Sequence, residues 1–152
     1  MRFFIGAVAI AMGVFSFIST ASIGPRFDYD SASRAERQEW LDKQANGIGK
    51  WSRFFMPSGG GPTQLRFNVD DVVGDASRRE IEIKVAVGVP YGAEVRFGDT
   101  REATKKACGK YVRSNLYDNN VRLVISFNRK KGGYLMKNTL SPGRCDAMLQ
   151  NA

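Results

Sequence analysis

The chain has 152 residues, 43% of them hydrophobic, 11% aromatic and 25% charged, with a formal net charge of +8. That length allows one ordinary domain, and the apolar content excludes a disordered chain. It contains no histidine, which excludes Ser-His-Asp and Cys-His catalysis and any His-ligated metal.

The N-terminus carries the first strong pattern. Arg2 is followed by an uncharged apolar run from Phe3 to Ile18 that ends in Ser19, Thr20 and Ala21. A basic start, an apolar middle and small residues at the end describe an export signal, with cleavage expected after Ala21 so that the mature chain begins at Ser22. The alternative is an uncleaved anchor formed by residues 3–21, since a span needs roughly 17 to 25 apolar residues. No Cys follows the run, which argues against a lipid-modified N-terminus. Both readings place the rest of the chain outside the cytoplasm, periplasmic or secreted.

Ser33 and Glu36 have the spacing of a helix-starting box, in which each side chain satisfies the other's free backbone N–H. A helix over about Ser33 to Phe55 follows, with Leu41, Ala45, Ile48, Ser52 and Phe55 on one stripe flanked by Trp40 and Trp51. Gly47 and Gly49 predict a break or kink in it. Pro57 to Pro62, with three glycines between, reads as a hinge. The division expected is therefore residues 1–21 as signal or anchor, 22–62 as a helical arm and hinge, and 63–152 as a basic α+β domain.

Alternation of apolar and polar residues predicts strands at Leu65, Phe67 and Val69, and at Ile81, Ile83, Val85, Val87 and Val89. A loop is expected over Asp70 to Ser77, a turn at Pro90 to Gly92, and a short strand around Val95 and Phe97. Asp99 and Glu102 repeat the capping spacing and open a helix to about Leu116. Asn119 and Asn120 mark a turn, Val121 to Phe127 a strand, and Arg129 to Gly133 a basic turn into a strand over Tyr134 to Leu140. Ser141, Pro142 and Gly143 close it. The resulting order, ββαββ, predicts an antiparallel sheet of four to five strands with one helix on its apolar face, preceded by the N-terminal helix.

Cys108 and Cys145 are the two cysteines, and in an oxidising compartment they are expected to pair. Closing the loop between them contributes about 3 to 4 kcal/mol in the chain-entropy description.

Charge is unevenly placed: residues 22–100 hold 11 Lys/Arg against 12 Asp/Glu, and residues 101–152 hold 11 against 3. Lys106, Lys110 and Arg113 follow helical spacing, and Arg129, Lys130 and Lys131 crowd a hairpin tip. These six are the candidate binding residues for an acidic protein surface or another anionic envelope component; export disfavours nucleic acid. A merely solubilising surface is the competing reading. Trp51, Phe54 and Phe55, interleaved with Lys50 and Arg53, suit membrane contact or core packing.

Catalytic candidates are few. Glu80 and Glu82 lie on one side of a strand, as a paired-carboxylate mechanism requires. Asp70, Asp71 and Asp75 do not match the EF-hand spacing. No cofactor or metal is expected. The favoured reading is a non-enzymatic envelope or secreted binding protein; a membrane-tethered assembly subunit and a His-independent hydrolase are the alternatives.

Overall fold

The computed structural model describes residues 2–5, 26–55, 66–89, 94–97 and 99–151, with the backbone alone at 2–5, 51–55 and 95–97. In chain order the elements are β1 (Arg2–Ile5), α1 (Arg34–Phe55), β2 (Arg66–Asp75), β3 (Glu80–Gly88), β4 (Glu94–Phe97), α2 (Arg101–Tyr111), α3 (Asn115–Asp118), β5 (Arg122–Arg129), β6 (Tyr134–Leu140) and α4 (Pro142–Gln150). The signal cleavage positions Ser19, Ala21 and Ser22, the Pro57 to Pro62 hinge and the Pro90 to Gly92 turn lie outside the described residues.

The fold is α+β, built on a four-stranded sheet in the order β2-β3-β5-β6. The two hairpins are antiparallel as expected, but the central pair, β3 with β5, is parallel from Glu80↔Arg122 to Val87↔Arg129. The sheet is therefore mixed rather than antiparallel. The reason lies in the connection: the chain leaves β3, runs back through α2, and enters β5 in the same direction, which is what a helical crossover imposes. β4 does not join this sheet but pairs in parallel with β1.

One face of the sheet is apolar. Ile81, Ile83, Val85 and Val87 of β3 and Leu123, Ile125 and Phe127 of β5 are all within 4% of full burial. They share a core with Leu41, Ala45 and Ile48 of α1 and with Ala107, Cys108 and Tyr111 of α2. Both helices thus cover the same face, α1 over β2 and α2 beside β6.

The N-terminal helix accordingly packs on the sheet through β2. Its start is the expected box: Ser33 N–H donates to Glu36 Oε2 at 2.7 Å and Glu36 N–H to Ser33 Oγ at 3.3 Å. The Ser33 backbone N–H first, and then the Ser33 side chain, hold the Glu36 carboxyl below its usual range. The helix continues unbroken through Gly47 and Gly49, because packing on β2 outweighs the weak propensity of two glycines. Gly74 of β2 is where the helix seats: a Cβ there would meet Leu41 Cβ at 2.8 Å and the Leu41 carbonyl carbon at 3.0 Å. Gln38 then clamps the strand, its Nε2 donating to Gly74 O at 2.8 Å and its Oε1 accepting from Ala76 N–H at 3.0 Å.

The segment before α1 is also fixed. Tyr29 is 2% exposed, donates from its hydroxyl to Ala76 O at 2.7 Å and from its N–H to Asn119 Oδ1 at 2.9 Å. Its ring lies under the guanidinium groups of Arg37 and Arg79 at 4.9 and 4.3 Å, a geometry that favours cations. Residues 26–50 therefore pack on the sheet and share its core.

Strand β2 runs through the expected loop to Asp75. Its register slips between Val69 and Asp71, so the buried set moves from Phe67 and Val69 to Val72 and Gly74. A bulge of this kind inverts the alternation and hides the second half of the strand from a period-two reading. The turn that follows is organised by Asp75, whose Oδ1 accepts from the Ser77 hydroxyl at 2.6 Å and from the Ser77 and Arg78 N–H groups. The Ser77 hydroxyl is the main reason its carboxyl is held below the usual range.

Candidate functional site

Helix α2 begins differently from expectation. Glu102 does not reach back; instead Asp99 accepts from Arg101 N–H at 2.9 Å and from its guanidinium at 3.0 Å, which lowers the Asp99 pKa and raises that of Arg101. The helix ends at Tyr111 rather than near Leu116, because Ser114 starts a new short helix by accepting from Tyr117 N–H while donating to Tyr111 O.

Ala103, Thr104, Ala107, Cys108 and Tyr111 form the buried side of α2. Cys108 is disulfide-bonded to Cys145 across 37 residues with a Cα–Cα distance of 5.1 Å, as expected. The partner cysteine sits on α4, a helix the sequence reading did not anticipate. Its signal was present: Ser141 Oγ accepts from Arg144 N–H, and Pro142 occupies the first turn, the position proline favours.

With that side held inward, Lys106 and Lys110 are exposed on the other side of α2, Arg113 is exposed just past the helix end and so is not on the helix as expected, and Arg129, Lys130 and Lys131 are exposed at the β5–β6 turn. The two groups do not meet. Thr104 accepts from Asn138 of β6, and the Tyr111 hydroxyl donates to Val121 O at 2.6 Å, at the entry of β5. The helix therefore runs antiparallel to β5, and the basic turn lies at the other end of that strand. At about 3.3 Å per residue, the seven steps of β5 from Arg122 to Arg129 separate these ends by roughly 23 Å. The six cations make a stripe along the domain.

Five cations elsewhere among the described residues are ion-paired. Arg78 and Arg122 pair with Glu80, Arg79 with Asp30, Arg101 with Asp99 and Lys43 with Glu39. Among the described residues none of the six stripe cations has a carboxylate within 4.0 Å. No Asp or Glu occurs between Asp118 and Asp146, and Asp146 accepts from the Tyr117 hydroxyl at 2.9 Å.

The carboxylate candidates are otherwise engaged. Glu80 is 7% exposed and receives Arg122 at 2.9 Å and Arg78 at 3.8 Å, while Glu82 accepts from Ser126 Oγ at 3.1 Å. They share the outer face of the sheet, but neither lines the cleft of about 240 Å³ between α1 and β2 or the shallower one of about 410 Å³ beside Trp40. Asp70 and Asp71 border the first cleft, and no group of acidic or thiol side chains with metal-binding spacing occurs among the described residues. The side chains of Trp51, Phe54 and Phe55 lie outside the described residues. No helix among the described residues is long and apolar enough to cross a membrane.

Two side chains near the stripe escaped the sequence reading. Tyr134, directly after the basic turn, is 69% exposed, and Arg144 of α4 donates to Asn138 Oδ1 and Thr139 O of β6 at 2.8 and 2.7 Å.

No family model matches the chain, and no curated protein matches it. Among solved structures the backbone is similar to a pilotin from the Vibrio vulnificus type 2 secretion system, EpsS, at 18% identity and a TM-score of 0.41, over 73% of this chain and 96% of that one. A likeness at that level assigns neither family nor function.

Proposed function

We propose that the chain is an exported, non-enzymatic envelope or secreted domain that binds an anionic partner through its basic C-terminal half. The observation that carries this reading is the set of six exposed cations on and just after α2 and at the β5–β6 turn, none with a carboxylate within 4.0 Å among the described residues, in a stretch where residues 101–152 hold 11 Lys/Arg against 3 Asp/Glu. Folding gives no reason to keep such a set, because exposed charges change stability by only about 0.5 kcal/mol each and like charges repel. The apolar leader supports export, and the Cys108–Cys145 bond suits an oxidising compartment.

Reversal of Lys106, Lys110 and Arg113 to Glu tests the reading. The variant is expected to keep its thermal midpoint to within a degree or two while losing capture of the partners that the parent chain draws from its envelope fraction at low salt. Those parental partners should be released as salt rises. Equal capture by parent and variant at low salt would leave the stripe as a solubilising surface and end the proposal.

A further inference from the structure

We infer that the β5–β6 turn is a membrane-docking tip that seats on anionic lipid headgroups, an inference that rests on the anionic-partner reading and names the partner for this end of the stripe. Residues 129–134, Arg-Lys-Lys-Gly-Gly-Tyr, are all exposed, the longest such run among the described residues. Three adjacent cations without a carboxylate neighbour are thus followed immediately by an exposed aromatic ring. Cations meeting lipid phosphate and a tyrosine at headgroup depth are the two contacts an interfacial site needs.

The turn is built to hold them out. Arg129 N–H donates to Gly133 O at 2.8 Å, Gly132 N–H to Arg129 O at 2.9 Å, and Lys130 N–H to Val87 O at 3.0 Å. The last bond ties the tip to the end of β3. Gly132 and Gly133 have φ of +92° and +112°, values that side chains resist. Two glycines there make the tight reversal and leave its crest without bulk beside Lys131 and Tyr134. The result is a tight, hydrogen-bonded turn with all six of its residues exposed.

Shape and chemistry together select the partner. A strand gains its contacts along a sheet edge and a helix in a groove, and neither cleft described above is lined by residues of this turn. Lys130 and Lys131 are point charges without the bidentate geometry that Arg129 has, and a bilayer supplies phosphates that diffuse to match them. The ring of Tyr134 adds an apolar contact that a purely charged partner would leave in water.

The test is vesicle co-sedimentation of the full chain as recovered after export, on phosphatidylcholine alone and with 30% phosphatidylglycerol. Far-UV circular dichroism and thermal midpoints should stay unchanged in every variant, since all substituted side chains are exposed. Lys130→Gln and Lys131→Gln are each expected to weaken the phosphatidylglycerol-dependent binding about fivefold. Tyr134→Ser should weaken it severalfold with less dependence on salt, and Lys106→Gln with Lys110→Gln on α2 should have little effect. Equal binding by parent and tip variants, or equal losses from the α2 pair, would overturn the inference. Capture on immobilised polyglutamate separates the two proposals. A parent chain that binds polyglutamate but shows no phosphatidylglycerol-dependent binding refutes the membrane tip and leaves the anionic-partner reading standing; binding to neither refutes both.

Discussion

Replacing Gly74 by alanine asks whether α1 is a fixed layer of the domain. The new Cβ would stand 2.8 Å from Leu41 Cβ, 3.0 Å from the Leu41 carbonyl carbon and 3.1 Å from its oxygen. Two of those three atoms are helix backbone, so no rotamer change relieves the clash and the helix must withdraw from β2. A withdrawal of about 0.5 to 1 Å forfeits a quarter to a half of each dispersion contact that Leu41, Ala45 and Ile48 make, and it stretches both Gln38 bonds. Overpacking of this kind costs about 1 to 3 kcal/mol. Urea unfolding followed by intrinsic fluorescence is well placed to read it, because both tryptophans, Trp40 and Trp51, lie in α1. Gly109→Ala is the companion. That position in α2 has nothing within 4 Å of the added Cβ, so the same change should stabilise by about 0.5 to 1 kcal/mol through helix propensity. A Gly74→Ala protein as stable as its parent, with the same denaturant slope, would refute the seating of α1 described above.

Removing the disulfide as Cys108→Ala with Cys145→Ala should lower stability by about 3 to 4 kcal/mol, and reduction of the parent by dithiothreitol should reproduce most of that loss in a thermal melt. Gln38→Met keeps the side-chain length but leaves Gly74 O and Ala76 N–H without their partner, an expected loss of about 1 to 2 kcal/mol in urea unfolding. Stability should also fall in alkali. Burial, the first cause, with the nearby Tyr117 and Asp146, raises the Tyr111 pKa, and the bond to Asp146 raises that of Tyr117. Unfolded tyrosines ionise near pH 10 and these two, when folded, at higher pH, so the unfolded state binds fewer protons above pH 10. The contribution is complete below about pH 10 and is lost above it, by up to about 1.4 kcal/mol per pH unit for Tyr111. Melting midpoints should be flat from these groups between pH 6 and 9, and Tyr111→Phe should flatten the fall above pH 10.

Where local chemistry decided the structure, it could be read from the residues. The Ser33 and Glu36 box, the uninterrupted alternation of β3, and the pairing of two lone cysteines each need no information from elsewhere in the chain. The parts that escaped depend on distant contacts. The second half of β2 was hidden by a bulge at Asp70, and the parallel seam between β3 and β5 follows from a crossover that alternation cannot express. The docking of α1 depends on Gly74, thirty-three positions away from Leu41 in sequence. For the candidate site, exposure of the six cations was legible from helical spacing and turn composition. Their separation along β5 was not, because it depends on the direction in which α2 returns. Tyr134 was passed over as the first residue of a strand; only the end of the hairpin shows that its ring faces solvent.

The two outer strands carry a consequence for how these molecules meet one another. At the end of β2, Gln38 occupies Gly74 O and the N–H of Ala76 just beyond it, Asp71 Oδ1 accepts from Val72 N–H at 2.9 Å, and the bulge twists the strand. On β6, Arg144 occupies Thr139 O, and the exposed Lys137 stands in mid-strand. Bulges, charged side chains and covering groups are the devices by which open sheets refuse a foreign strand. A fifth strand from a neighbouring copy therefore finds neither border ready to template it. The domain can be crowded on a surface at high local concentration without its sheet growing from one molecule into the next, which leaves side chains, rather than main-chain ladders, to make its contacts.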